Sequence, residues 1–428
     1  MTTAQIVSSV IFLATFIAIL RERVDRTIIG LIGAGVMVAA GMVFGFYSQE
    51  EALASIDFNT LGLLLGMMVI VALLAKSGFF QYVATLTAKW SGGDPWRLLL
   101  ILGTITTVLS MFLDNVTTIV LIVPVTILIA EILGISSIPF LMAEALLSNT
   151  GGVATLVGDP PNILIGSAAG LSFIDFLVHL APIVLVAWLG AIITLRYLFR
   201  EELKLPPENP EALLNLDEKA ALKDTKLLWK VLTVLGGVIV LFFMHTALHL
   251  SPAFVALLGA ATALLWVQPD VEEILKEVEW SVLLFFGALF VVVGGLEASG
   301  LLALLAESVT AMARADVLVT GVVLIWGAAI LSSIVDNIPF TIVMIPIIQD
   351  LGALGVDIGP LWWALALGAG FGGNGTPIGS TANIITIKLS ERTRHPITTA
   401  LWLRKGLPVM LVVSVIGSIL YALTFSSM

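Results

Sequence analysis

Long apolar stretches run through the chain from end to end, each punctuated by glycine, proline or a short charged cluster. As α-helices, stretches of about 18 or more apolar residues are long enough to cross a hydrocarbon layer of about 30 Å. The pattern predicts ten full crossings, near 4–20, 27–46, 58–75, 140–170, 174–198, 227–247, 251–268, 280–297, 360–390 and 398–425. Two further apolar stretches, 97–133 and 316–353, are interrupted at their centres by Asp114-Asn115 and Asp336-Asn337. Arms of about 16 residues meeting at a polar tip predict re-entrant hairpins, because exposed backbone at membrane depth is tolerated only where it is buried in protein or lines a cavity. The amphipathic stretches Gln81 to Trp90 and Leu301 to Arg314 read as interfacial helices.

The composition supports this picture. Of 428 residues, 59% are hydrophobic and 12% charged, and the mean hydropathy of +1.08 excludes a water-soluble fold. Ile6 to Leu20 is followed by Arg21, Arg23 and Arg26 without a small-residue cleavage site, so this segment is expected to stay as a crossing. With both termini outside, all of the 20 Lys and Arg residues except Arg314 fall on the cytoplasmic side, as the positive-inside rule asks. That holds only if both hairpins re-enter. The formal charge of −10 comes without a basic nucleic-acid patch. The absence of cysteine excludes disulfides, thiolate metal sites and cysteine nucleophiles, and leaves nothing for a thiol-reactive solute to poison. There is no HExxH, Walker A or GxSxG pattern in its required context, so the chain reads as no enzyme, with no metal and no cofactor.

The two halves repeat each other. At an offset of 222 residues, Asp57 matches Glu279, Ser77-Gly78 matches Ser299-Gly300, Asp114-Asn115 matches Asp336-Asn337, and Pro124 matches Pro346. At an offset of 221, Gly151-Gly152 matches Gly372-Gly373, Thr155 matches Thr376, Gly158 matches Gly379, and Asn162-Ile163 matches Asn383-Ile384. The expected fold is therefore an all-α polytopic membrane protein of two repeats, 1–200 and 227–428, joined by a cytoplasmic linker at 201–226. Each repeat holds five crossings, one hairpin and one unwound helix. An odd number of crossings inverts the second repeat, which is the layout of secondary transporters.

Asp114 and Asp336 lead the candidate residues, because an ionisable group within the membrane is costly and usually functional. Each can bind a cation or exchange a proton, and each can also cap the second arm of its hairpin. The Gly-rich and Pro-rich stretches from Asn149 to Asn162 and from Gly370 to Asn383 cannot continue an α-helix. They predict split crossings whose free backbone groups serve as ligands, against the alternative of glycines that only let helices pack closely. Asp159, before Pro160, is read evenly as a cap or as a third titrating carboxyl. Glu144 is expected to snorkel to the cytoplasmic interface, with titration as its alternative. The isolated His179, His245 and His249 read as satisfied or interfacial side chains.

LDNVTTIVLIVPVT (113–126), NTGGVATLVGDPPNILIGSAAGLSF (149–173), SSIVDNIPF (332–340) and GGNGTPIGSTANI (372–384) resemble the ion-transporter superfamily. Within it the likeness is to ArsB-type arsenite permeases with their NhaD-type and P-protein relatives, and more distantly to dicarboxylate transporters. The resemblance implies a scaffold that often dimerises and an elevator-like transport unit. It gathers a substrate site from Asp114, Asn115, Thr117, Thr118, Asn149, Thr150, Gly151, Thr155, Asp336, Asn337, Gly373, Asn374, Thr376, Ser380 and Thr381, with Asp114, Asp336 and Asp159 coupling protons. Two ionised tip aspartates would repel a dianion by several kcal/mol. The expectation is arsenite or antimonite efflux by proton antiport in the inner (plasma) membrane. A sodium/proton antiporter is the alternative, with dicarboxylate carriage or a passive channel less favoured. Substrate identity, stoichiometry, oligomeric state and docking of a soluble ATPase subunit stay open.

Overall fold

The computed structural model describes residues 1–21, 23–209 and 217–425, so part of the linker lies outside the described residues. The first half runs α1 (Thr3–Leu20), α2 (Arg26–Phe44), α3 (Gln49–Ala54), α4 (Phe58–Lys76), α5 (Phe79–Ser91), α6 (Pro95–Phe112), α7 (Asn115–Leu133), α8 (Ile138–Gly152), α9 (Pro160–Ala169), α10 (Phe173–His179) and α11 (Ala181–Leu198). The second half runs α12 (Thr225–Met244), α13 (Pro252–Val267), α14 (Val271–Lys276), α15 (Trp280–Ala298), α16 (Leu301–Ala315), α17 (Val317–Val335), α18 (Asn337–Ala353), α19 (Gly359–Gly372), α20 (Thr381–Ser390) and α21 (Thr399–Thr424). The described residues contain no β-strand. Apart from α10, the second half repeats the order of the first.

The packing is reciprocal between the halves. Helix α2 lies on α15 while α13 lies on α4, and α7 meets α20 while α9 meets α18. Within each half the first hairpin arm packs on the helix that precedes the break, α6 on α8 and α17 on α19. Small residues set these distances: a Cβ at Gly66 would come within 2.5 Å of the Ala256 carbonyl carbon, so α4 and α13 touch backbone to backbone. Helices α8 and α19 form the centre, buried on all sides from Pro139 to Gly152 and from Pro360 to Gly372. That explains sequences without a polar face.

Among the described residues ten helices are long and apolar enough to span a membrane, but they are not helix for helix the ten crossings expected from the sequence. They include the hairpin arms α6, α7 and α17, whose 18 or 19 residues exceed the expected arm length. Three expected crossings are absent from that set: glycine cuts the two broken ones into pieces of 10 to 15 residues, and α13, at 251–268, is 16 residues long. The crossing expected at 174–198 is also divided. Helix α10 turns 113° from α9, and the continuous span α11 begins only at Ala181.

Glu144 does not snorkel. It is 0% exposed, and Thr126 donates a 2.6 Å hydrogen bond to its Oε1 from α7. A carboxyl that far inside α8 has no path to the interface. His245 is satisfied, with Nδ1 3.1 Å from the Leu250 carbonyl and Nε2 accepting from the Phe173 amide. The described parts of the linker are tied back to the first half: the Glu208 amide bonds the Leu133 carbonyl, and the Lys223 amide that of Ser77.

Candidate functional site

Each hairpin turns at an aspartate that caps its second arm. Asp114 Oδ2 accepts from the Thr117 amide at 3.1 Å and from Thr117 Oγ1 at 3.2 Å. Asp336 Oδ1 accepts from the Ile338 amide at 3.4 Å. The capping role expected of both aspartates is therefore present. The backbones of the two tips differ: Asp336 sits at φ +83°, a region that is strained for a residue with a side chain, whereas Asp114 sits at φ −56°.

The breaks are held open by one asparagine each. Asn162 Nδ2 donates to the carbonyls of Val153 (3.0 Å) and Thr155 (2.8 Å). Asn383 Nδ2 donates to Gly373 (2.6 Å) and Thr376 (2.9 Å). Carbonyls orphaned where a helix stops are thus satisfied by a side chain ten or fewer positions on. Thr155 Oγ1 donates to the Met111 carbonyl and Thr376 Oγ1 to that of Ser333, fastening each break to the first arm of its own hairpin. Glycine is needed where backbones meet. A Cβ at Gly158 would lie 2.5 Å from the Gly152 carbonyl oxygen, and one at Gly379 2.9 Å from that of Gly373.

The hairpin tips and breaks converge on a buried polar cluster. Asn115 Nδ2 donates to Asp159 Oδ1 and to Asn149 Oδ1, both at 3.3 Å. Asn337 Nδ2 donates to Asp159 Oδ2, also at 3.3 Å. The Asp159 side chain caps no helix, which removes the capping alternative, and its carboxyl instead joins the two tips. Asn149 Nδ2 donates to Asn383 Oδ1 (2.9 Å) and Asn374 Oδ1 (3.2 Å), while Ser380 Oγ donates to Asn149 Oδ1 (3.1 Å). Asn374 Nδ2 in turn donates to Thr150 Oγ1 at 3.0 Å. Asp159 experiences the charge of both Asp114 and Asp336. Groups from positions 115 to 383 thus form one buried hydrogen-bonded network.

Two buried carboxyl oxygens, Asp114 Oδ1 and Glu144 Oε2, have no hydrogen-bond partner. Asp114 lines a cavity of about 10 Å³ together with Leu64, Met67, Met68, Val71, Thr117, Val157 and Ile163, with room for about one water-sized group.

Some expected site residues are committed elsewhere. Thr118 Oγ1 turns back to the Asp114 carbonyl, and Gly151 is a packing contact whose Cβ would strike Thr107 Cγ2 at 2.4 Å. Thr155, Thr376 and Gly373 build the breaks and offer no free ligand group to the cluster. Thr381 Oγ1 reaches Asp336 Oδ2 at 3.4 Å and accepts from a residue the sequence reading had counted only as a loop charge, Arg26. Its Nη1 pairs with Asp336 Oδ2 at 3.1 Å and donates to Thr381 Oγ1 at 2.8 Å. Asn383 and Glu279 were also missed as site residues; Glu279 experiences the charges of both Asp114 and Arg26. The repeat itself held the available signal, since Asn383 matches Asn162 and Glu279 matches Asp57.

Residues 16–368 match the citrate transporter (CitMHS) family. The chain belongs to that family. It is 41% identical over 414 residues to a 46 kDa membrane protein of Mycobacterium leprae, covering 95% of this chain and 96% of that one. An uncharacterized transporter of Mycobacterium tuberculosis is likewise 41% identical over 423 residues, covering 97% and 98%. The human P protein is 33% identical across 97% of this chain, which spans 59% of that longer protein. The YdaH transporter of Alcanivorax borkumensis shares the fold at 16% identity, with a TM-score of 0.60 over 94% of this chain and 96% of that one. This CitMHS member is accordingly a multi-pass secondary transporter of the ion-transporter superfamily, and its bacterial relatives place it in the plasma membrane.

Proposed function

We propose that the chain exports arsenite or antimonite in exchange for entering protons. The observation that carries this reading is the buried, unpartnered Asp114 Oδ1, on a residue that lines a small and mostly apolar cavity; with room for about one water-sized group, the cavity has to widen as the hairpin moves to admit a trihydroxide. A neutral trivalent hydroxide donates hydrogen bonds to a carboxylate and needs no shell of ligands, and the adjoining Met67 and Met68 thioethers are soft, mobile neighbours for it. A hard cation such as sodium asks for several oxygen ligands. Around the bare Asp114 oxygen, Asp114 and Thr117 supply few of these. Protonation of Asp114 replaces a charged acceptor by a weaker neutral one and loosens its hold on the solute, so proton and solute compete for one group.

In this reading residues 1–200 and 227–428 are inverted repeats with both termini outside. The hairpins and broken helices move as an elevator unit, in a chain that works as a homodimer with or without a soluble ATPase subunit. The reciprocal contacts between the halves support the inversion. Sodium/proton exchange is the second reading, supported by the oxygen-rich cluster around Asn149, Thr150 and Asn374. Citrate, the solute named in the family description, meets three aspartates there and a single arginine already paired, and so ranks below both.

Proteoliposomes with an imposed pH gradient test this directly. Arsenite or antimonite accumulation driven by the gradient is the expected result. Sodium-driven proton flux without metalloid transport moves the assignment to the antiporter, citrate flux overturns both, and flux without pH dependence describes a channel.

A further inference from the structure

The two hairpin tips are equivalent in sequence but not in their electrostatic surroundings. Asp336 is met by Arg26 from the first turn of α2, a helix that packs on α1 and α15. The guanidinium lies 5.1 Å from the centre of the Phe285 ring, and its side chain is 26% exposed against 11% for Asp336. The pair forms one wall of a cleft of about 360 Å³ that also contains Arg23, Thr381 and Lys388. Helix α13, the repeat partner of α2, has no arginine in its first turn: it begins at Pro252, and the next amide, that of Ala253, is bound by Asn59 Oδ1 at 3.2 Å. Asp114 has no ion pair among the described residues and keeps one bare oxygen. The backbone divides the tips in the same way, strained at Asp336 and relaxed at Asp114.

We propose that Arg26 is a built-in counter-cation for Asp336, so that only Asp114 of the two tip carboxyls exchanges solute and proton while Asp336 latches the second hairpin to α2. The guanidinium stays charged at any pH the protein meets, because arginine does not deprotonate, and so it favours the ionised form of Asp336. The same pair helps to hold Asp336 in its left-handed backbone conformation. The pair faces Arg23 and Asp25 on its own side, Glu279 from α15, Lys388 from α20, and Asp159 from the break before α9. Without Arg26, therefore, Asp336 would add a further charge to a group of carboxyls. The flux arm of the test below rests on the transport reading; the unfolding arm does not.

The experiment compares the full chain with Arg26→Gln, Arg26→Lys, Asp336→Asn, Asp114→Asn and the double variant Arg26→Gln/Asp336→Asn. Thermal unfolding of each purified protein is recorded from pH 5 to 9, followed by the pH profile of whichever solute flux the parent supports. Arg26→Gln is expected to lower Tm and move the flux midpoint upward by about one pH unit. The double variant returns both toward the parent, and Arg26→Lys falls between. Asp114→Asn removes the pH step, whereas Asp336→Asn with Arg26 present does not. The proposal is overturned by an Arg26→Gln variant with the parent's Tm and midpoint, by a double variant no better than Arg26→Gln, or by loss of the pH step in Asp336→Asn. Loss of citrate flux at an unmoved midpoint would make Arg26 an anion anchor and also overturn it. If no candidate solute is carried, the transport reading fails while the Tm comparison still decides the ion pair.

Discussion

Asn337 lies 178 residues from Asp159 in the chain, yet its Nδ2 donates to the Asp159 carboxyl at 3.3 Å, beside the matching bond from Asn115. One acidic side chain therefore joins the second hairpin to the first at the start of α9. The repeat partner of Asp159 is Ser380, so the two halves supply unlike groups at this place.

Asp159→Ala is expected to leave the Asn337 amide without its acceptor and the Asn115 amide with only Asn149, at a cost of about 1–3 kcal/mol for a group left unsatisfied. Asp159→Asn keeps the shape and one acceptor oxygen, so it should fold better while losing pH-dependent flux. Unfolding temperature and vesicle flux measured on the same preparations separate the two effects. Equal Tm values for Asp159→Ala and the parent would remove Asp159 from the joint.

Asp114→Asn retains a good N-cap for α7, since Asn ranks with Asp at that position. Normal membrane insertion and an unfolding temperature within a few degrees of the parent are expected. Coupled flux in everted vesicles should disappear, because an amide does not exchange a proton. Uptake that keeps its normal pH dependence would rule out Asp114 as the coupling group.

Gly158→Ala places a methyl group 2.5 Å from one backbone carbonyl oxygen and 2.7 Å from another, and backbone does not yield as a side chain would. A strong loss of folded protein, at the upper end of the 1–3 kcal/mol typical of overpacking or beyond it, is expected. Gly236→Ala meets nothing within 4 Å and serves as the control. Fluorescence-detected size exclusion after heating distinguishes them, and similar profiles for both would show that the break is looser than described.

Asn162→Ala and Asn383→Ala each leave carbonyl groups of a break without a donor. Each should cost about 1–3 kcal/mol and raise amide exchange around 153–159 or 373–380 respectively. Exchange confined to the other half of the molecule would contradict the local staple.

In the linker, the side-chain hydrogen bond and charge of Lys89 hold the Glu218 carboxyl below its usual range. A depressed folded value means that the tether is fully present above the ordinary Glu value of about 4.3 and is lost as pH falls through the lower folded value. Limited proteolysis between 205 and 225 should therefore accelerate on acidification in the parent. In Lys89→Gln it should already be fast at neutral pH.

Periodicity and repetition made the membrane class, the helical halves, the polar tips at Asp114 and Asp336 and the breaks after Gly152 and Gly373 legible in the sequence. These are local properties: helices follow from apolar length, and breaks from Gly and Pro. Only the tertiary structure decided that Asp159 joins both tips, that Glu144 is enclosed, and that Arg26 serves Asp336. Each of those depends on side chains brought together across 18 to 310 positions of chain, a distance over which neither periodicity nor repeat offset carries information. Symmetry in the sequence announced two equivalent tips. Packing made them different, because a cation from α2 reaches one carboxyl and none reaches the other.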